Sequence, residues 1–149
     1  MRQVFNLKRI VIAVLVLHMV HYHAGAQSEN RLNDYLFKNR ILLIKATGTD
    51  TVSLVDKLNQ NNDDLIARKL LVFLVDGNRV SGLYTPEGEM LVLTQAQFAS
   101  LTDDNSVFLI GLDGGLKSAY PDLNVDAIFT EIDRMPMRRY EISNASDPN

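Results

Sequence analysis

The chain has no cysteine and no tryptophan, and its three histidines, His18, His21 and His23, all fall near the start. Without cysteine there is no disulfide staple, no thiolate nucleophile and no sulfur to carry a lipid, so apolar burial must hold the fold. Long apolar runs are scarce too. Ile10 to Leu17, IVIAVLVL, is unbroken, and Met19 and Val20 extend it past His18. A membrane-spanning helix needs roughly 20 apolar residues, about twice that run.

The run sits in a recognisable setting. Arg2, Lys8 and Arg9 precede it, and Ala24-Gly25-Ala26 follows with small residues where a signal peptidase reads. That is the three-part pattern of a secretory signal, with cleavage expected between Ala26 and Gln27. Its removal leaves residues 27–149 and takes all three histidines with it. Three of the fifteen basic residues leave and all eighteen acidic ones stay, so the net charge moves from −3 to −6. The expected product is exported, periplasmic or secreted, and holds no stable place in a membrane. An acidic domain also lacks the clustered Lys and Arg that bind a phosphate backbone, so nucleic acid is not an expected partner.

Loss of the histidines removes more chemistry. Ser-His and Cys-His catalysis need an imidazole base, and zinc sites rely on Cys and His. No metal or other cofactor is expected. Acid–base work by paired carboxylates stays formally open at Asp63-Asp64 and Asp103-Asp104, but each pair lies beside Asn in what reads as a solvated loop. Asp113-Gly114-Gly115 lacks the Lys-Ser or Lys-Thr and helix of a phosphate loop, and reads as a two-residue hairpin turn.

What is present is a set of short, strongly apolar stretches. Ser28 is expected to cap a short helix carrying Leu32, Tyr35 and Leu36. Ile41 to Ala46, Leu70 to Val75 and Ser106 to Leu112 read as buried strands. A helix between the first two, with Val52, Leu54, Val55 and Leu58 on one face and Asp50 or Thr49 as its cap, makes a β-α-β unit of right-handed crossover. Residues 79–92 are hard to read; RVSGLY there offers an edge strand. Thr94 is expected to cap a short helix, and Gly115 to Tyr120 to return as an antiparallel strand. Asn124 then caps a helix whose Val125, Ile128, Phe129, Ile132 and Met135 form the cleanest apolar face in the chain. Pro136 is expected to stop that helix, and residues 143–149 to form a loose polar tail.

Four blocks carry a resemblance: KNRILLI at Lys38 to Ile44, ARKLLVFLVDG at Ala67 to Gly77, FLIGLDGGLK at Phe108 to Lys117 and IDRMPMRR at Ile132 to Arg139. They resemble a thioredoxin-like domain of unknown function found in exported bacterial proteins and as the C-terminal domain of sushi-repeat-containing and related extracellular-matrix proteins. The resemblance implies an α/β, thioredoxin-like fold: a mixed four-stranded sheet, five-stranded with the extra edge strand, and helices on both faces. It covers about Leu32 to Glu141, within a domain expected to span 27–142. Redox members of that fold hold a C-x-x-C where the first core strand meets its helix, and a cis-proline before the third. Here those places read Ala46-Thr47-Gly48-Thr49-Asp50 and Asp103-Asp104-Asn105. Thiol–disulfide exchange and peroxide reduction are therefore not expected.

Two places are candidate binding sites for a protein partner or small ligand. Thr47, Thr49 and Asp50 surround a helix start whose free N–H groups attract anions, although self-capping by Asp50 explains the same residues. Met137, Arg138 and Arg139 combine an adaptable thioether with two cations, a docking pattern, although cations gather at helix ends for electrostatic reasons alone. The expected role is non-catalytic binding. The alternative is an enzyme working with carboxylates, hydroxyls or lysine.

Overall fold

The computed structural model describes residues 28–85, 89–102 and 104–146. The expected signal with its three histidines lies outside them, as do Asp103 and residues 86–88. Seven strands form one mixed sheet: β1 (Ser28–Arg31), β2 (Arg40–Lys45), β3 (Leu70–Asp76), β4 (Arg79–Tyr84), β5 (Glu89–Val92), β6 (Val107–Ile110) and β7 (Leu116–Tyr120). Their order across the sheet is β1-β5-β4-β3-β2-β6-β7. The helices are α1 (Thr51–Gln60), α2 (Asn62–Ala67), α3 (Gln95–Ala99), α4 (Val125–Arg134) and α5 (Pro136–Ser146).

The middle of the sheet follows from the apolar runs. β2 pairs parallel with β3, from Arg40 opposite Leu70 to Lys45 opposite Val75, and antiparallel with β6. Side chains alternate across the pleat. Leu42, Ile44, Val72, Val107 and Leu109 face one way, against Leu54, Leu58, Leu65 and the Ile128-Phe129-Ile132 face. Ile41, Leu43, Phe73, Val75, Phe108 and Ile110 face the other, under Leu32, Tyr35, Phe98 and Leu101. Both faces are covered, so unbroken apolar strands fit there and half-polar ones do not. Parallel β2-α1-β3, the antiparallel β6-β7 hairpin and the closing α4 make the topology thioredoxin-like, with helices on both faces.

Among the described residues the strand count is seven, not four or five; the additions lie in residues 79–92, which are hard to read, and in residues 28–31, where a helix start was expected. Arg79–Tyr84 is no edge strand: it lies between β3 and β5. Gly82 marks the reason for its weak pattern, since a Cβ there would come within 3.1 Å of the Glu89 carbonyl on β5. Ser28 caps no helix. Residues 28–31 pair parallel with β5, and a single 3-10 turn over Leu32–Tyr35 buries Leu32 and Tyr35.

Other boundaries moved for local reasons. β6 ends at Ile110, and the hairpin loop runs over Gly111 to Gly115, longer than two residues. Gly111 donates to the Gly115 carbonyl and Gly114 to that of Gly111, both at 3.0 Å, and Gly114 adopts φ +76°. Asp63 and Asp64 stand in the first turn of α2, not in a loop. Thr94 and Asn124 cap as expected, through the N–H groups of Gln97 and Ala127. α4 does stop before the proline, with Met135 extended at ψ 138°. Pro136 then opens α5, a position where its missing N–H costs nothing, and the helix includes residues 143–146 of the expected tail.

Candidate functional site

At the junction of β2 and α1 the chain needs a sharp turn, which Gly48 supplies at φ +73°. Asp50 then caps α1, its Oδ1 accepting from Val52 N (3.1 Å) and Ser53 N (3.4 Å). Thr49 Oγ1 donates back to the Lys45 carbonyl at 2.8 Å. Thr47, Thr49 and Asp50 do share one cavity of about 300 Å³, with Ser53, Lys57, Ser106 and Asp122 also on its walls. Yet Asp50 spends its carboxylate on the N–H groups an anion would want, and its charge opposes one. Lys57 donates to the Leu123 carbonyl at 3.2 Å. Capping accounts for these residues as they stand.

The second candidate divides. Met137 and Arg139 are exposed, while Arg138 turns inward. Pro136 starts a new helix, so both arginines belong to the first turn of α5, where the helix dipole disfavours cations, rather than to the tail of α4. Arg138 offsets this with acceptors: Asp133 Oδ1 (3.2 Å), the Ala67 carbonyl (2.6 Å) and Glu141 Oε2 (3.5 Å).

Those contacts belong to a larger ionic cluster at the entry of β2. Arg68 reaches Asp64 Oδ1 (2.6 Å) and Asp133 Oδ2 (2.7 Å), with its guanidinium 4.3 Å above the Phe129 ring. Lys69 pairs with Glu141 Oε1 at 3.3 Å. Arg40, 1 % exposed, donates from Nη1 to the Arg68 carbonyl (2.8 Å) and to Glu141 Oε2 (3.3 Å). Four cations thus face three carboxylates in a chain that is otherwise acidic. Burial pushes Asp133 and Glu141 up, but hydrogen bonds from Arg68 and Arg138 to the first, and the charges of Arg40 and Lys69 on the second, hold both carboxyls below their ordinary range. They are structural anions at neutral pH.

Beside Arg40 lies a cavity of about 280 Å³, walled by Gly111, Leu112, Asp113 and Lys117 of the hairpin and by Met135, Pro136 and Met137. Lys117 Nζ meets Asp113 Oδ2 at 2.6 Å on its rim. Gly111 allows that pair to close, because a Cβ would stand 2.4 Å from Lys117 Cε. Outside Met137 the wall continues into an open hollow bordered by Phe37, Pro136 and Tyr140. Sequence reasoning did not single out Arg40, Arg68, Asp133 or Glu141. One sign was available: alternation along β2 places Arg40 on the same face as Leu42 and Ile44, which makes it a cation on an apolar stripe.

Two phenols are also shifted. Tyr35 and Tyr120 are pushed up to about 12, first by burial and then by the Glu89 and Glu131 carboxylates to which they donate. Neither ionises near neutral pH.

A search of curated proteins finds no match to this chain. Among solved structures it is similar to the mitochondrial 2-Cys peroxiredoxin of Plasmodium falciparum, at 14 % identity and a TM-score of 0.46 over 78 % of this chain and 84 % of that one. It is similar also to the reduced 2-Cys peroxiredoxin of Plasmodium vivax, at 20 % identity and the same TM-score of 0.46 over 73 % and 72 %. The family model for Domain of unknown function (DUF4174) matches residues 31–141, a stretch that includes every member of the ionic cluster and every wall of the Arg40 cavity, and the chain belongs to that family.

Proposed function

We propose that this chain is an exported thioredoxin-like domain that works by binding rather than by thiol chemistry. The observation that carries this reading is the β2–α1 junction. A helix start that lowers a thiol's pKa elsewhere is here closed by its own Asp50, with threonines beside it and no cysteine in the chain. The Arg40 cavity, lined by residues of three of the four resembling blocks, Met137 among them, supports a binding role. The resemblance to C-terminal domains of extracellular-matrix proteins fits it as well.

The test takes the exported protein and measures insulin reduction and peroxide consumption beside a buffer blank. Both rates are expected at background, and the mass of the exported product is expected to begin at Gln27. Turnover above background in either assay overturns the non-redox reading. A product that keeps residues 1–26 restores three histidines and overturns the exclusion of imidazole chemistry. The alternative, a hydroxyl and carboxylate enzyme, draws on the shared cavity of Thr47, Thr49 and Asp50.

A further inference from the structure

We infer that the hollow bordered by Phe37, Met137 and Tyr140 is a docking site for a short acidic segment of a partner protein, anchored by a large apolar side chain. The inference rests on the binding role proposed above and names the partner's chemistry. It starts from Phe37, which is 68 % exposed. Its backbone sits in the left-handed region at φ +59°, where a bulky residue is strained and Gly or Asn is not. Backbone bonds fix the turn it makes into β2. Phe37 N donates to the Leu112 carbonyl (2.7 Å), and Lys38 N and Asn39 N both donate to that of Tyr35 (3.0 Å). None of these bonds needs a phenyl ring, so the aromatic brings the fold strain and little burial. Strained positions gather at ligand clamps and other working surfaces. Among the described residues the only other non-glycine at positive φ is Lys69, at +50°. It stands at the same entry to β2, its carbonyl accepting from Arg40 N at 2.8 Å.

The surface around Phe37 has the composition of an interface core. Met137 and Tyr140 are neighbours one turn apart on α5, both exposed, Tyr140 to 68 %. With Phe37, Leu112 and Pro136 they border a hollow of about 410 Å³, room for an inserted side chain. Aromatics and methionine exposed together mark contact surfaces. Charge selects the occupant. Glu141 is the only carboxylate on the walls of the hollow, and Arg40, Lys69 and Arg138 all pair with it. Lys38 follows Phe37 and Arg139 precedes Tyr140. Both are exposed, and among the described residues neither pairs with a carboxylate. This face is therefore positive, on an expected product of net charge −6. Salt screens charges beyond about 8 Å at physiological ionic strength, so a short segment seated here feels the local cations. A broad anionic surface such as a bilayer would also meet the acidic remainder, and a plane cannot fill a hollow. A second copy docked by the same face would set cations against cations.

The test offers a random-sequence peptide library to the immobilised exported protein and sequences the peptides retained. Enrichment of Asp and Glu around a Leu, Phe or Trp is the expected result. When a retained peptide titrates the ¹⁵N-labelled protein, the amides of Phe37, Met137 and Tyr140 should move and saturate together. Phe37→Asn removes the ring and relieves the backbone, so it should hold the urea midpoint yet weaken that peptide at least about tenfold. The Lys38→Glu, Arg139→Glu double variant should also weaken it, with a larger loss at low salt than at high. A library that yields no binder overturns the inference, as do binders without acidic excess or equal affinity in Phe37→Asn. Binding to phosphatidylglycerol vesicles or self-association in sedimentation, lost in Phe37→Asn while peptides fail to bind, overturns it in favour of a membrane or a second copy. Each of these failures is distinct from failure of the proposed function, which is read from the redox assays and the mass of the product.

Discussion

Arg40 shows how one side chain sets conditions on several others. Burial pulls its pKa below the ordinary guanidinium value while Glu141 pulls it back up. The charge therefore persists in the interior because a carboxylate and a backbone carbonyl share one of its nitrogens. Removing one partner of such a pair leaves an uncompensated buried charge, a loss of about 3 kcal/mol. Glu141→Gln is accordingly expected to lower the stability of the domain by about that amount in urea unfolding. Arg139→Gln, at an exposed residue of the same helix, should change it by less than about 0.5 kcal/mol. Equal midpoints for the two variants would show that the Arg40–Glu141 contact carries no weight.

At the scale of elements, three of the four expected caps were legible, Ser28 being the exception, and the pairings of β1, β4 and β5 were not. Asp50, Thr94 and Asn124 each close a helix through a side-chain oxygen, a local interaction spanning two or three residues. Local chemistry can be read locally. Asp50→Ala is expected to cost about 1 kcal/mol of stability without loss of fold, measured by thermal unfolding. No change would mean that the α1 start is satisfied by other groups, and the anion-binding alternative at Thr47–Asp50 would gain ground. β1 and β5 were hidden, and β4 was legible only as an edge strand, for the opposite reason. A short strand such as Ser28–Arg31 has no pattern of its own; its identity comes from β5 lying parallel beside it.

For the whole molecule, the ionic cluster ties the start of β2, the α2–β3 turn, α4 and α5 together. Asp133 and Glu141 are held below their unfolded values, so the stability they contribute is present above about pH 4 and is lost as pH falls through their folded values. Urea midpoints are expected to fall steeply below about pH 4. The Asp133→Asn, Glu141→Gln double variant should be less stable at neutral pH and show a flatter acid limb. Acid limbs of equal slope would place the acid sensitivity elsewhere. The fold class, the three central strands, the β-α-β unit and the α4 face were all readable beforehand. The convergence of three of the four blocks on one cluster was not, because residues separated by as much as 101 positions, Arg40 and Glu141, meet there.

By itself the sequence determined that thiol and disulfide chemistry is closed to this chain, since residue types are a matter of composition, and it determined the elements whose pattern is written in neighbouring residues. Tertiary structure alone decided which strands the quiet segments would form, which of the Met137–Arg139 side chains turn inward, and that Arg40 would be buried beside Glu141. Burial and partner choice are properties of distance in space, and a one-dimensional pattern carries them only where folding keeps near neighbours near.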